Sequence, residues 1–225
     1  MTERFFKRYG TKIIVFLYGA FYLIAFHLLE KRGMYRIHVI HMDLDYSIPF
    51  CEYFIVPYLL WFLFMFLTVF WFMFKNPNRK EYRQLIISLI FGMTVFLAIS
   101  WLFPNGHLLR PNRFPRDNIF TDIVRMLYKS DTSTNILPSI HVYNSVAACI
   151  AIVRSKELHK YQKLRMGTVI LTVSIVMATV FLKQHSVVDV ILAFVLNFAV
   201  YVVIYVLDDH KVYVKKSLAA SPTNL

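Results

Sequence analysis

Apolar residues in this chain come in long unbroken runs, without the alternation of a half-buried strand. Five runs approach the length of a membrane span: Ile13–Leu29, Phe54–Phe74, Leu85–Phe103, Met166–Leu182 and Val190–Leu207. Crossing about 30 Å of hydrocarbon takes about 20 mostly apolar residues, because a helix rises about 1.5 Å per residue. A sixth run, His141–Val153, is shorter and opens on a polar turn carrying His141, Asn144 and Ser145. Polar groups inside a membrane are costly and face the bundle interior, so this pattern predicts a helix whose outer end lines a site. The runs are too long for barrel strands, which leaves helices as the spanning element. The expected fold is all-α: a single domain over 1–225, built as a six-span transmembrane helical bundle. The expected spans are 13–29, 54–74, 85–103, 138–153, 166–182 and 188–207. The first run follows Arg4, Lys7, Arg8 and Lys12 with no small-residue cleavage site behind it, and reads as an uncleaved span. The polar tail from Lys215 to Leu225 is expected to fray.

Composition supports this pattern. Hydrophobic residues make up 58% of the 225 and charged residues 17%, against about 45–50% and about 25% in soluble domains. That excludes a soluble globule, a disordered chain and a disulfide scaffold. The net charge of +12 raises the question of nucleic acid, and the placement of the charges answers it. With the N-terminus in the cytoplasm, sixteen of the 25 Lys and Arg fall in inner segments and nine in outer ones. That is the positive-inside bias of a cell-membrane protein with both termini cytoplasmic, so no nucleic-acid partner is expected.

This topology opens three polar segments on one side: Pro104–Pro111 (PNGHLLRP), Asn135–Val142 (NILPSIHV) and Lys183–Asp189 (KQHSVVD). His185 and Asp189 are spaced i, i+4 and share a helical face. A carboxylate there takes the proton of one ring nitrogen and leaves the other nitrogen basic, as a nucleophilic histidine requires. His141 opens a helix and can protonate a leaving oxygen. Arg110 offers a planar fork for phosphate oxygens and Lys183 a point charge. Ser139 brings a hydroxyl and backbone N–H groups to a helix start, where anions bind. Two histidines, a carboxylate, two cations and a helix N-terminus suit phosphoryl transfer. Taken singly, each has a plainer reading: a structural histidine, or a headgroup-level anchor in the case of Arg110 and Lys183.

The same three segments resemble the motifs of the type-two phosphatidic acid phosphatase superfamily, which joins membrane lipid phosphate phosphatases to soluble relatives such as vanadium haloperoxidases. Its pattern is Lys-x6-Arg-Pro, then Pro-Ser-Gly-His, then Ser-Arg-x5-His-x3-Asp. Here these survive as Arg110-Pro111, Pro138-Ser139-Ile140-His141 and His185-x3-Asp189. The second motif is most similar to a branch that includes inositol phosphorylceramide synthases; sphingomyelin synthases are more distant. The resemblance implies an acid phosphatase/haloperoxidase-like helical core and neither metal nor cofactor. It casts His185 as the phosphohistidine-forming nucleophile, Asp189 as its orienting partner and His141 as the acid. Arg110 and Ser139 become the phosphate holders. The motif Lys falls at Phe103, the Gly at Ile140, and the Ser-Arg pair at Ala178-Thr179. Lys183 stands as a replacement for that Arg, and Arg113 or Arg116 for the Lys.

The leading expectation is a lipid phosphatase acting on a lipid phosphate or diphosphate at the extracytoplasmic face. Its alternatives are a lipid phosphotransferase with a hydroxyl acceptor and a non-catalytic scaffold or lipid transporter. Elsewhere, His38, His41, Asp43 and Asp45 suit a wet loop better than a metal cluster. Asp117–Tyr128 predicts a short amphipathic helix with Asp117 as its N-cap, serving either as a lid or as plain packing. Cys51 and Cys149 lie at different depths and do not pair.

Overall fold

In a computed structural model, residues 2–32 and 37–208 are described, residues 2–11 by backbone alone. The sequence features at Arg36 and in the tail from Lys215 to Leu225 lie outside these residues. In chain order the helices are α1 (Thr2–Glu30), α2 (Asp43–Ser47), α3 (Ile55–Phe74), α4 (Arg79–Leu102), α5 (Ile119–Ser130), α6 (Ile140–Arg154), α7 (Gln162–Phe181) and α8 (Val187–Tyr201). A 3-10 turn at Glu52–Phe54 leads into α3, and a π-helical turn at Val202–Val206 extends α8. The only strands among the described residues are β1 (His38–Val39) and β2 (Asn105–Gly106).

Among the described residues five helices are long and apolar enough to span a membrane, and Ile140–Arg154 is a shorter apolar one. The helix ends differ from the expected spans where polar residues extend a helix. α4 starts at Arg79 rather than Leu85, because Asn78 caps it by accepting from the N–H groups of Lys80 and Glu81. α1 likewise runs back to Thr2 through its basic residues. Large apolar side chains such as Phe16, Leu23, Phe66, Ile170 and Phe198 are exposed on the outside of the bundle. A surface this apolar needs hydrocarbon around it, so the chain is a membrane protein.

α6 is the axis of the bundle and packs against α3, α4, α7 and α8. Its buried Ala147, Ala148 and Ala151 let neighbouring backbones come close, the usual device where hydrocarbon removes the hydrophobic drive between helices. The tightest approach is to α4. A Cβ on Gly92 would lie 1.9 Å from the ring of Tyr143, and the Tyr143 hydroxyl donates to the Ser88 carbonyl at 2.8 Å. Asn197 of α8 donates to the Tyr143 carbonyl at 3.1 Å. These contacts fix the height of α6, and with it the height of His141.

At the histidine end, three connecting segments are stitched together. β1 pairs in parallel with β2, matching His38 to Asn105 and Val39 to Gly106. Gly106 also bridges to Thr134, and a Cβ there would meet the Ser133 carbonyl at 2.6 Å. Asn105 is fully buried; its side-chain oxygen accepts the N–H groups of Ile136 at 2.9 Å and Leu137 at 3.0 Å. The chain thus reaches Ser139 and the start of α6 in a fixed path.

Candidate functional site

The third polar segment is a turn between two helices. α7 ends at Phe181, and Lys183 follows in the left-handed region at φ 51°, the place glycine usually fills. The N–H groups of Gln184 and His185 then both bond to the Thr179 carbonyl, at 2.9 and 3.0 Å. Ser186 caps α8, and Asp189 in its first turn returns a carboxylate oxygen to the Ser186 N–H at 2.8 Å. The same oxygen lies 3.3 Å from His185 Nδ1. With Nδ1–H directed at Asp189, the lone pair of His185 is on Nε2. Burial pushes the His185 pKa down to about 3, the Ile136 backbone opposing and the Arg110 charge adding to the shift. His185 is therefore a neutral base at neutral pH.

The second segment brings His141 to the same place. Ser139 caps α6, its hydroxyl accepting the Val142 N–H, while its own N–H reaches the Asp189 carbonyl at 3.2 Å. The rings of His141 and His185 are 5.8 Å apart, edge to face. His141 also packs against Trp61 at 4.4 Å and Tyr58 at 4.7 Å. Its Nδ1 is buried with no partner.

The first segment adds Arg110. Its guanidinium donates to the carbonyls of Tyr128 and Thr132 at 3.1 and 3.0 Å. It also reaches the side-chain oxygen of Gln184 at 2.5 Å and lies 4.4 Å over the Tyr128 ring. The four residues His141, His185, Asp189 and Arg110 thus come together with Ser139.

Lys183 does not join them. Its ammonium donates to the carbonyls of Asp45, at 2.6 Å, and Ile48, and burial lowers its pKa. Instead of facing the histidines, it anchors the turn at His185 to the segment leading into α3. Arg116, one stand-in for the missing motif Lys, is held in a bidentate pair by the buried Glu52 at 2.6 and 3.0 Å. Arg113, the other, is exposed on the same loop. Among the described residues no group of three His, Cys, Asp or Glu is arranged to hold a metal.

Residues 106–212 match the PAP2 superfamily. That match agrees with the resemblance the three motifs carry in this chain. No curated protein and no solved structure matches it. PAP2 proteins are phosphoesterases of the phosphatase and phosphotransferase type, and the matched segment holds Arg110, Ser139, His141, His185 and Asp189. The segment leading into α3 lies before it.

That segment supplies a partner sequence reading missed. The expectation of a wet loop fails at Asp45, which is only 2% exposed. Its carboxylate accepts from the Ser186 hydroxyl at 2.6 Å, the Val187 N–H at 2.8 Å and the Met42 N–H at 2.8 Å. It acts as a second cap on α8, where a negative charge suits the positive end of the helix. His38 of the same segment stacks on Phe103 at 4.3 Å. His107 was also missed. It is fully buried, accepts the Leu109 N–H at Nδ1 and donates from Nε2 to the Gln184 carbonyl at 2.9 Å. Both stand among other polar residues in the sequence, and nothing local names a partner for either.

α5 closes the histidine end of this fold. Asn118, not Asp117, is its N-cap, accepting the Thr121 N–H at 3.0 Å. Asp117 instead pairs with Arg125 on the surface. Val124 of α5 is buried in a cluster with Tyr58, Ala178 and Leu182, and the Tyr128 hydroxyl donates to the Leu182 carbonyl at 2.6 Å. The helix therefore lies across the end of the bundle and carries the carbonyl that holds Arg110.

Proposed function

We propose that this protein is a membrane lipid phosphatase working through a phosphohistidine on His185. The observation that carries this is the His185–Asp189 pair, with a neutral imidazole beside a second histidine and an arginine. Nε2 of His185 attacks phosphorus, forming a P–N bond as the P–O bond to the lipid breaks. The departing oxygen takes a proton from His141. Water, giving a proton back to His141, then cleaves the P–N bond and releases phosphate. Asp189 holds the imidazole in the tautomer that makes Nε2 the nucleophile and stabilises its positive charge in the intermediate. Arg110 and the helix start at Ser139 hold phosphate oxygens. α6 has 15 residues, about 22 Å of helix, so His141 lies near the edge of the hydrocarbon. A lipid phosphate can reach it with its tails still in the bilayer. The face is extracytoplasmic, on the distribution of basic residues.

The test is turnover of a panel of lipid monophosphates and diphosphates by detergent-solubilised protein in EDTA. Free phosphate is counted while lipid products are weighed by mass spectrometry. We expect phosphate release, inhibition by vanadate, and loss of both turnover and the acid-labile phosphoenzyme in His185→Ala. Full activity in that variant overturns the mechanism. A new phosphorylated lipid with no free phosphate would replace water by a lipid hydroxyl as the acceptor and make the protein a phosphotransferase.

A further inference from the structure

The residue before the nucleophile is a glutamine buried to 3% exposure, and its amide is only half used. Oε1 of Gln184 accepts from Arg110, which fixes the amide so that Nε2 points the other way. That Nε2 is buried with no partner, and so is Nε of Arg110. Two N–H donors on side chains bonded to each other are thus both unmatched, one on the residue before His185 and the other on a cation whose charge acts on that ring. Buried donors are paired in the great majority of cases, and an unpaired one calls for an explanation such as a catalytic role or a bound ion. Their complement is an acceptor carrying negative charge and several lone pairs.

The charge inventory points the same way. The superfamily pattern places an Arg six residues before the histidine, and Thr179 stands there. Lys183 is committed to the carbonyls of Asp45 and Ile48, and Arg116 to Glu52. Arg110 is then the cation beside His185, and a neutral amide is its neighbour.

We propose that Gln184 is a substrate-binding residue: its Nε2, with Nε of Arg110, binds the non-bridging oxygens of the phosphoryl group presented to His185. The role rests on the reading of His185 as the nucleophile. It explains the position of the amide between two fixed groups. Arg110 holds it by the oxygen, and His107 holds the same residue by its backbone carbonyl, so the free N–H groups are preset rather than recruited.

The experiment uses the full-length protein in detergent, with orthovanadate as the probe and binding measured by calorimetry beside lipid-phosphate kinetics. Gln184→Glu keeps the oxygen that Arg110 needs but replaces the free donors with a carboxylate oxygen. We expect vanadate affinity to fall at least tenfold and KM to rise, with thermal stability close to wild type. Gln184→Leu removes both halves of the amide and should show the same direction of change. Unchanged vanadate affinity in a folded Gln184→Glu protein overturns the proposal, as does absence of vanadate binding by the wild type. If the wild type binds vanadate, the glutamate variant does not, and no lipid phosphate is turned over, the oxyanion site stands and the phosphatase reading fails.

Discussion

His107 and His185 are both held neutral by burial, each with its pKa pushed down to about 3. Around His107 lie the Gln184 carbonyl and the charges of Arg110 and Asp45; His185 faces Asp189, His141 and Arg110. The unfolded chain titrates its histidines near about 6.5. Between about 6.5 and 3 the unfolded state therefore binds more protons, and stability falls as the pH falls. Each histidine contributes a slope of up to about 1.4 kcal/mol per pH unit across that window. Asp131 works in the opposite sense, because burial pushes its pKa up to about 6 and the folded state then binds that proton first. The difference between His107→Asn and wild type cancels Asp131. In melting curves taken from pH 7 to 4, the variant should lose stability less steeply, by about one proton. Parallel curves would mean that His107 is not held neutral. His141, His185 and Asp189 were legible in the sequence because the i, i+4 spacing and the Pro-Ser-x-His turn state their own geometry. Gln184, His107 and Asn105 were not. Their roles consist of bonds to residues as much as 77 positions away, and no local pattern encodes such a partner.

The long helices were legible for a similar reason: an apolar run of span length has one structure in hydrocarbon. The stitching at the histidine end was not, since two-residue strands pair residues 67 apart and leave no periodicity to read. Its consequence is concentrated at the start of α8. Asp45 holds the Ser186 hydroxyl and the Val187 N–H, Ser186 holds Asp189 through its own N–H, and Asp189 faces His185. The segment leading into α3 therefore positions His185, the proposed nucleophile, without touching it. Asp45→Asn keeps the shape but weakens bonds to a buried charge, which are worth about 1.5–3 kcal/mol each. The expected result is a fall in kcat of about tenfold or more with KM little changed, since a loss of about 1.4 kcal/mol at the transition state is tenfold in rate. A purely structural role would instead lower the melting temperature and leave the kcat of the folded protein intact.

The placement of all these groups at one end of the bundle makes the orientation of the whole molecule a functional question. The loop that carries Arg113 adjoins the histidines through Arg110, whereas the α6–α7 connection with the exposed Lys160 lies at the far end of α6. Inner segments carry sixteen of the 25 Lys and Arg if the Arg113 loop is outside, and the positive-inside bias then puts the site on the extracytoplasmic face. Both native cysteines are free, so a Cys51→Ser, Cys149→Ser background removes thiol reactivity. In that background Arg113→Cys should react with a membrane-impermeant maleimide in intact cells, and Lys160→Cys only after permeabilisation. The reverse pattern would move the histidines to the cytoplasmic face, where the substrate would come from the inner leaflet and phosphate would be released into the cell. Labelling of both in intact cells would contradict a span between them, and α6 is that span. Its 15 residues, about 22 Å, fall short of the about 30 Å core. The bundle makes up the difference by surrounding the polar first turn of α6 with α3, α7 and the turn at His185, and on the proposed function that deficit in length is also what lets a phosphate reach the level of His141.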